Sequence, residues 1–158
     1  MQGRFFEGNT GASGEKGVVM EAEGINPKVL IAKLICWSLV GFDILLGGLS
    51  LIAPKAVMKG FAPEGGEEGA PLLRRAGSIW AFFVPVQFWA ALKTENPTAL
   101  RAVAILRLQE VPADPVWLAT GEGFGLFGKF GLVFAPIFNL MAGSYLWWVA
   151  RQLDKEDV

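Results

Sequence analysis

Histidine is absent from this chain, and cysteine occurs once. The first absence removes bis-histidine haem ligation, zinc sites built on imidazole, and Ser–His or Cys–His nucleophile pairs. The second excludes an internal disulfide and any CxxC centre. The remaining thiol, Cys36, lies in an apolar run with only Lys33 near enough in sequence to favour a thiolate, and reads as inert. Net charge is almost missing as well. Fourteen basic and fifteen acidic residues leave −1, which gives no reason to expect a nucleic acid partner. Charged residues make up 18 % and hydrophobic residues 53 %, against soluble averages of about 25 % and roughly 45–50 %. A length of 158 residues predicts one domain. The composition describes a membrane protein without the common catalytic equipment.

What is present falls into a tail and four apolar segments. Residues 1–27 are small and polar, above all from Gly8 to Gly17, and cannot build a core. No basic start leads into an apolar run and a cleavage site, so this stretch is expected to be an extramembrane tail rather than a secretory signal. Left alone it is disordered; a partner subunit's surface would order it.

The apolar segments span about 29–53, 72–92, 98–119 and 124–150, each near the ~20 residues that a membrane crossing needs. Pro27 and Pro54 suit the start and stop of the first. Pro85 should kink the second. The third is the least apolar, and the fourth is long enough to cross with some tilt. Residues 54–69 read as a Pro- and Gly-rich loop, and 93–97 and 120–123 as short turns. Short connections make neighbours antiparallel. The expected fold is all-α: an integral membrane antiparallel four-helix bundle over 28–151, with a charged C-terminal tail over 152–158. A soluble four-helix core is the alternative, disfavoured because these segments are too long and aromatic for half-exposed helices. No strand signal and no internal repeat is visible.

Trp89, Trp147 and Trp148 fall at the tail-side ends of their spans and Trp117 at the opposite end, resembling interfacial belts. Arg4, Lys16, Lys28, Lys93, Arg151 and Lys155 outnumber Lys55 and Lys59, with Arg74 and Arg75 at the border. That excess favours both termini on the cytoplasmic side.

The third span holds Arg107, Glu110 and Asp114 at i, i+3, i+7, on one helix face. Charges in a span are costly and face the bundle interior. Antiparallel register sets Asp114 level with Arg74 and Arg75, brings Lys129 in from the same side, and puts Asp43 at the depth of Arg107 and Glu110. Seven ionisable groups are thus expected to converge, beside carbonyls freed by Pro112 and Pro115. Two readings follow. One is a polar pocket for a headgroup, a quinone head or a proton path. The other is an ion-pair network that fixes helix register.

Gly121–Gly131 matches two phosphate-loop patterns, Gly123-x-Gly125-x-x-Gly128 and Gly123-x-x-x-x-Gly128-Lys129. Both need a preceding strand, and Phe130 stands where the second needs Ser or Thr. Gly121, Gly125, Gly128 and Gly131 read instead as a small face for close helix packing, with Gly47-Gly48 and Gly77-Ser78 in the same role. The dense aromatics, among them Phe82, Phe127, Phe130, Phe134 and Phe138, suit lipid contact and helix packing. They also suit a carotenoid, chlorophyll or quinone at the periphery. Without histidine a chlorophyll magnesium would need Asn139, Gln87, a carboxylate, a carbonyl or water. Asn139 and Gln87 read better as interhelical hydrogen-bond partners.

Arg74-Arg75-Ala76-Gly77, followed by Ser78-Ile79-Trp80 near the start of the second span, resembles the DoxX-like small bacterial membrane proteins. The resemblance covers residues 29–150 as an architecture and carries over no functional residue. Members of that group include subunits associated with membrane redox enzymes, so it implies a place beside an electron-transfer complex. The tail and the acidic loop at Glu64, Glu67 and Glu68 are atypical of the group. The expected role is a non-catalytic accessory subunit of a respiratory or photosynthetic membrane complex, acting in assembly and holding lipids, pigments or quinone. The alternative is an independent binder or transporter of a lipid, quinone or other hydrophobic molecule. A membrane enzyme comes third. The first predicts paired, closed charges, the second an open hydrated cavity at Asp43, Arg75, Arg107 and Glu110.

Overall fold

A computed structural model describes residues 26–65 and 69–156. The tail up to residue 25, Gly66, Glu67 and Glu68, and the last two residues lie outside the described residues.

Proline and asparagine set the helix starts. Helix α1, Pro27–Ile52, is capped by the Asn26 side chain, which accepts from the Lys28 amide at 3.1 Å. Pro54 does not open a loop. It takes the first position of a further helix, α2 (Pro54–Phe61), where a missing N–H costs nothing. The expected loop over 54–69 is therefore helical in its first half, because Pro54 and Met58 bury one face. Helix α3, Ala70–Leu92, runs unbroken through Pro85. After the turn at 93–96, Asn96 accepts from the amides of Thr98 and Ala99 at 2.9 and 3.2 Å, and Pro97 opens α4 (Pro97–Glu110).

The third apolar segment is not one helix. Pro112 has no N–H, and its ring would meet the Leu108 carbonyl, so α4 stops at Glu110 and a short α5, Ala113–Thr120, begins anew. The 14 residues of α4 rise about 21 Å, short of the ~30 Å hydrocarbon core. Helix α6, Leu126–Glu156, is longer than expected. It absorbs most of the charged segment 152–158, because Leu153 packs on the core and Asp154 pairs with Arg101 of α4.

Among the described residues the fold is all-helical, with six helices and no strand. Contacts make neighbours antiparallel. Trp37 meets Phe88 edge-on at 5.4 Å, while Gly47, ten residues on, meets Gly77. The Tyr145 hydroxyl donates to the Lys28 carbonyl at 3.3 Å, tying the second half of α6 to the start of α1. The main pairs α1/α3 and α4/α6 close into a ring through α3/α4 and α1/α6. Two helices, α1 and α6, are long and apolar enough to cross a membrane. Helix α3 is 23 residues long but carries Arg74, Arg75 and Gln87.

Two apolar clusters fill the interior. The lower is built from Ala32, Cys36 and Leu39 against Ala90, Leu100, Val103 and Leu146, with their neighbours. The upper joins Met58 and Ala62 of α2 to Ala70 and Leu73 of α3, with Trp80, Trp117 and Phe124 packed on it.

Candidate functional site

Between the two clusters lies a polar layer, with one or more members from each of α1, α3, α4 and α6. Gln87 donates through Nε2 to Asp43 Oδ2 at 2.8 Å. Arg107 donates through Nη2 to the same oxygen and through Nη1 to Glu110 Oε2, the latter at 2.9 Å. Trp80 Nε1 donates to Glu110 Oε1 at 2.9 Å, and Asn139 Nδ2 reaches Glu110 Oε2 at 3.5 Å. Phe83 lies under the guanidinium, 5.6 Å from ring centre to Cζ. The charged atoms are shut off: the side chains of Asp43 and Arg107 are 1 % and 3 % exposed.

Each member is held by its helix. Asp43 sits on the stripe Ala32, Cys36, Leu39, Asp43, Gly47, Ser50, which faces inward at helical spacing. Gln87 continues the inner face of Leu73, Gly77 and Phe83 on α3. Arg107 follows Leu100, Val103 and Ala104 on α4. The stripes approach closely because three positions lack a side chain. A Cβ on Gly77 would lie 2.8 Å from Ser50 Cβ and 2.9 Å from the Gly47 carbonyl oxygen. One on Gly143 would lie 2.8 Å from Leu108 Cγ. Gly47 lies against Gly77 and Trp80 from the other side.

No family model, curated protein or solved structure matches this chain. What the site can do follows from its own geometry.

That geometry brings together three of the seven expected charges, Asp43, Arg107 and Glu110. The other four stand apart. Arg74, Arg75 and Lys129 are exposed, on faces turned away from the bundle interior. Asp114 is half-buried in the first turn of α5 and bonds to none of the three, because the break at Pro112 ends the i, i+3, i+7 register after Glu110. Gln87 and Asn139 are the interhelical donors expected. Trp80 is an addition: a buried indole N–H needs an acceptor, and that requirement was its only signal in the sequence.

The glycine series also divides. Gly121 caps α5 against the Phe124 ring, and Gly125 is in the loop, donating to the Phe61 carbonyl at 3.0 Å. Only Gly128 and Gly131 are helical, and both face Phe61 at the end of α2. A Cβ on Gly128 would run into the Phe61 carbonyl oxygen. The series thus seats the α2 end and its loop on α6, rather than joining two long helices. Gly123 has φ +70°, a left-handed conformation suited to glycine, directly against Gly65. Helix α5 and an extended loop precede these glycines, so the strand that a phosphate loop needs is not there.

The layer is a closed network. Two surface clefts, of about 790 and 600 Å³, lie at opposite ends of the bundle, and neither is lined by Asp43, Arg107 or Glu110. Among the described residues, no group of three or more cysteine, aspartate or glutamate side chains is placed to hold a metal ion. Trp80→Phe keeps the ring and deletes its N–H. A hydrogen bond to a charged group is worth about 1.5–3 kcal/mol, so thermal unfolding in mild detergent is expected to show a loss of that size. An unchanged midpoint would mean that Glu110 does not depend on this donor.

Proposed function

We propose that this chain is an integral membrane protein crossing the bilayer four times, with α4 and α5 together as the third crossing and both ends of the bundle on one side. We propose further that it is a non-catalytic accessory subunit of a larger membrane complex.

The observation that carries the membrane reading is an inverted distribution of polarity. The pairs of Arg107 with Asp43 and Glu110 are buried, while large apolar side chains look outward on most sides. Leu45 of α1 is 64 % exposed, Phe82 of α3 74 %, and Phe127 and Met141 of α6 66 % and 67 %. A soluble monomer rarely leaves apolar patches of this extent uncovered. Lipid or protein must cover these faces.

The accessory reading is supported by closure. A binder or transporter needs its charges to line an open cavity. Here Asp43, Arg107 and Glu110 bond to one another and to Gln87, Trp80 and Asn139 away from either cleft, with Arg107 Nε and Gln87 Oε1 left without a partner among the described residues, which suits a network that fixes helix register. The resemblance to DoxX-like proteins points to an electron-transfer complex, respiratory or photosynthetic. Lipid, pigment or quinone would then lie at the periphery, and the tail at 1–27 on a partner's surface. An excess of basic residues on the tail side favours a cytoplasmic location for both termini.

Purification in mild detergent through a C-terminal tag, followed by mass spectrometry, tests this. Large subunits in fixed stoichiometry are expected. A lone protein carrying a defined hydrophobic ligand would instead favour the binder. Glu110→Gln separates the same readings. Less assembled complex with unchanged activity per complex is expected, because the network loses a charge that Arg107 uses. Normal assembly with lost activity would assign Glu110 to chemistry.

A further inference from the structure

The turn between α3 and α4 forms a groove of about 600 Å³ against the start of α1. Lys33 of α1 and Lys93, the residue that ends α3, line it together. They are sixty positions apart and meet because Trp37 packs on Phe88, which sets the preceding turn of α1 beside the following turn of α3. Both lysines are exposed, and neither forms an ion pair among the described residues. Glu95 also lines the groove and pairs with neither.

Hydroxyls complete the lining of the groove. Thr94 is 6 % exposed and lines the same groove, yet its hydroxyl has no hydrogen-bond partner among the described residues. The oxygen itself opens to the groove, since the buried side-chain atoms without a partner are those of Ser50, Gln87 and Arg107, and its hydroxyl is free to donate there. The hydroxyl of Thr98 stands at the same groove. Two ammonium groups and two hydroxyls around one concavity match a phosphate monoanion or diester.

What lies beside the groove selects the source of that phosphate. Leu34, Trp37, Phe88 and Leu92, 58 %, 40 %, 44 % and 57 % exposed, continue from the lysines along the outer face of α1 and α3. Trp89, Trp147 and Trp148 are exposed near the same end of the bundle, where an interfacial belt belongs. The geometry points to a binding site for an anionic phospholipid, with its phosphate between Lys33 and Lys93, its oxygens on Thr94 and Thr98, and its acyl chains along Leu34, Trp37 and Phe88. Lys33 stands more than a turn inside an apolar helix, and an anionic headgroup supplies the counter-charge that it lacks among the described residues. This site rests on the membrane reading above and gives it a lipid class.

The test uses the full chain purified in mild detergent, with native mass spectrometry against phosphatidylglycerol, phosphatidylcholine and inorganic phosphate. Retention of phosphatidylglycerol over phosphatidylcholine by about tenfold is expected, from the attraction of two lysines near a membrane surface. Lys33→Ala/Lys93→Ala should erase that preference, Lys33→Arg/Lys93→Arg should keep it, and Thr94→Val should weaken it. Inorganic phosphate should not displace the lipid. Equal retention of the two lipids, or a preference that survives loss of both lysines, overturns the site. So does phosphate binding at these lysines without lipid preference. Alkaline carbonate extraction of cell membranes is run alongside. A chain that resists extraction but shows no lipid preference refutes the site alone, whereas a chain released by carbonate refutes the membrane reading itself.

Discussion

Replacing Arg107 with methionine is expected to leave little folded protein. Its guanidinium is bonded to both Asp43 and Glu110, and its side chain is 3 % exposed. Without it two carboxylates remain, held only by the neutral donors of Gln87, Trp80 and Asn139. Breaking a buried pair by removing one partner costs about 3–5 kcal/mol, against a total stability of roughly 5–15 kcal/mol for a typical domain. Yield and thermal unfolding of the full chain in mild detergent would measure it. Arg107→Lys should recover only part of the loss. An ammonium is a point charge and lacks the fork that reaches two carboxylates at once. The triple variant Arg107→Met, Asp43→Asn, Glu110→Gln removes all three charges together and should recover most of the stability, because no uncompensated ion remains. A single methionine variant as stable as the parent would mean that the carboxylates do not depend on this cation.

Gly77→Leu carries the second large expected effect. The backbones of α1 and α3 touch at this point, and even the first carbon of a side chain would lie 2.9 Å from the Gly47 carbonyl oxygen. Neither neighbour is the end of a flexible side chain, so the helices themselves must separate. Overpacking of this kind costs about 1–3 kcal/mol. The displacement would also carry through α3 to Gln87 and through α1 to Asp43, loosening the bond between them. Gly48→Leu is the control, since its Cβ would meet nothing within 4 Å. Thermal unfolding should drop for the first and hold for the second. Cysteine pairs placed across α1 and α3 should lose cross-linking efficiency in Gly77→Leu only. Equal behaviour of the two variants would sink the close-approach account.

The difference between these glycines shows where reading along the chain stops. Gly47 and Gly48 are equivalent as small residues in an apolar run, and so are the members of the series from Gly121 to Gly131. Only their direction around the helix axis separates them, and each residue turns that direction by about 100°. The charges behave the same way. Register along antiparallel helices places residues by depth, and it placed Asp43 level with Arg107 and Glu110 correctly. It also set Arg74 and Arg75 beside Asp114. Depth carries no azimuth, and the inner face of α3 runs through Leu73, Gly77, Phe83 and Gln87, leaving both arginines outside. The break after Glu110 was not read from Pro112, because every proline in a helix loses one backbone bond and yet Pro85 and Pro136 sit inside unbroken helices, so packing decides where the helix stops.

From residues alone come the all-helical fold, the bounds of α1 and α3 to within two positions, and the turn before Asn96. These depend on prolines, caps and apolar runs that act within a few residues of one another. The same holds for the scarcity of catalytic groups, which is a matter of count. Tertiary structure decided which charges meet, that Trp80 completes their shell, that α2 exists as a packed helix, and that Lys33 stands beside Lys93. Each of these depends on contacts between distant segments, set where Gly47 admits Gly77 and Trp37 meets Phe88. No local pattern carries that information, because the direction of a side chain around its helix acquires meaning only when a second helix packs against it.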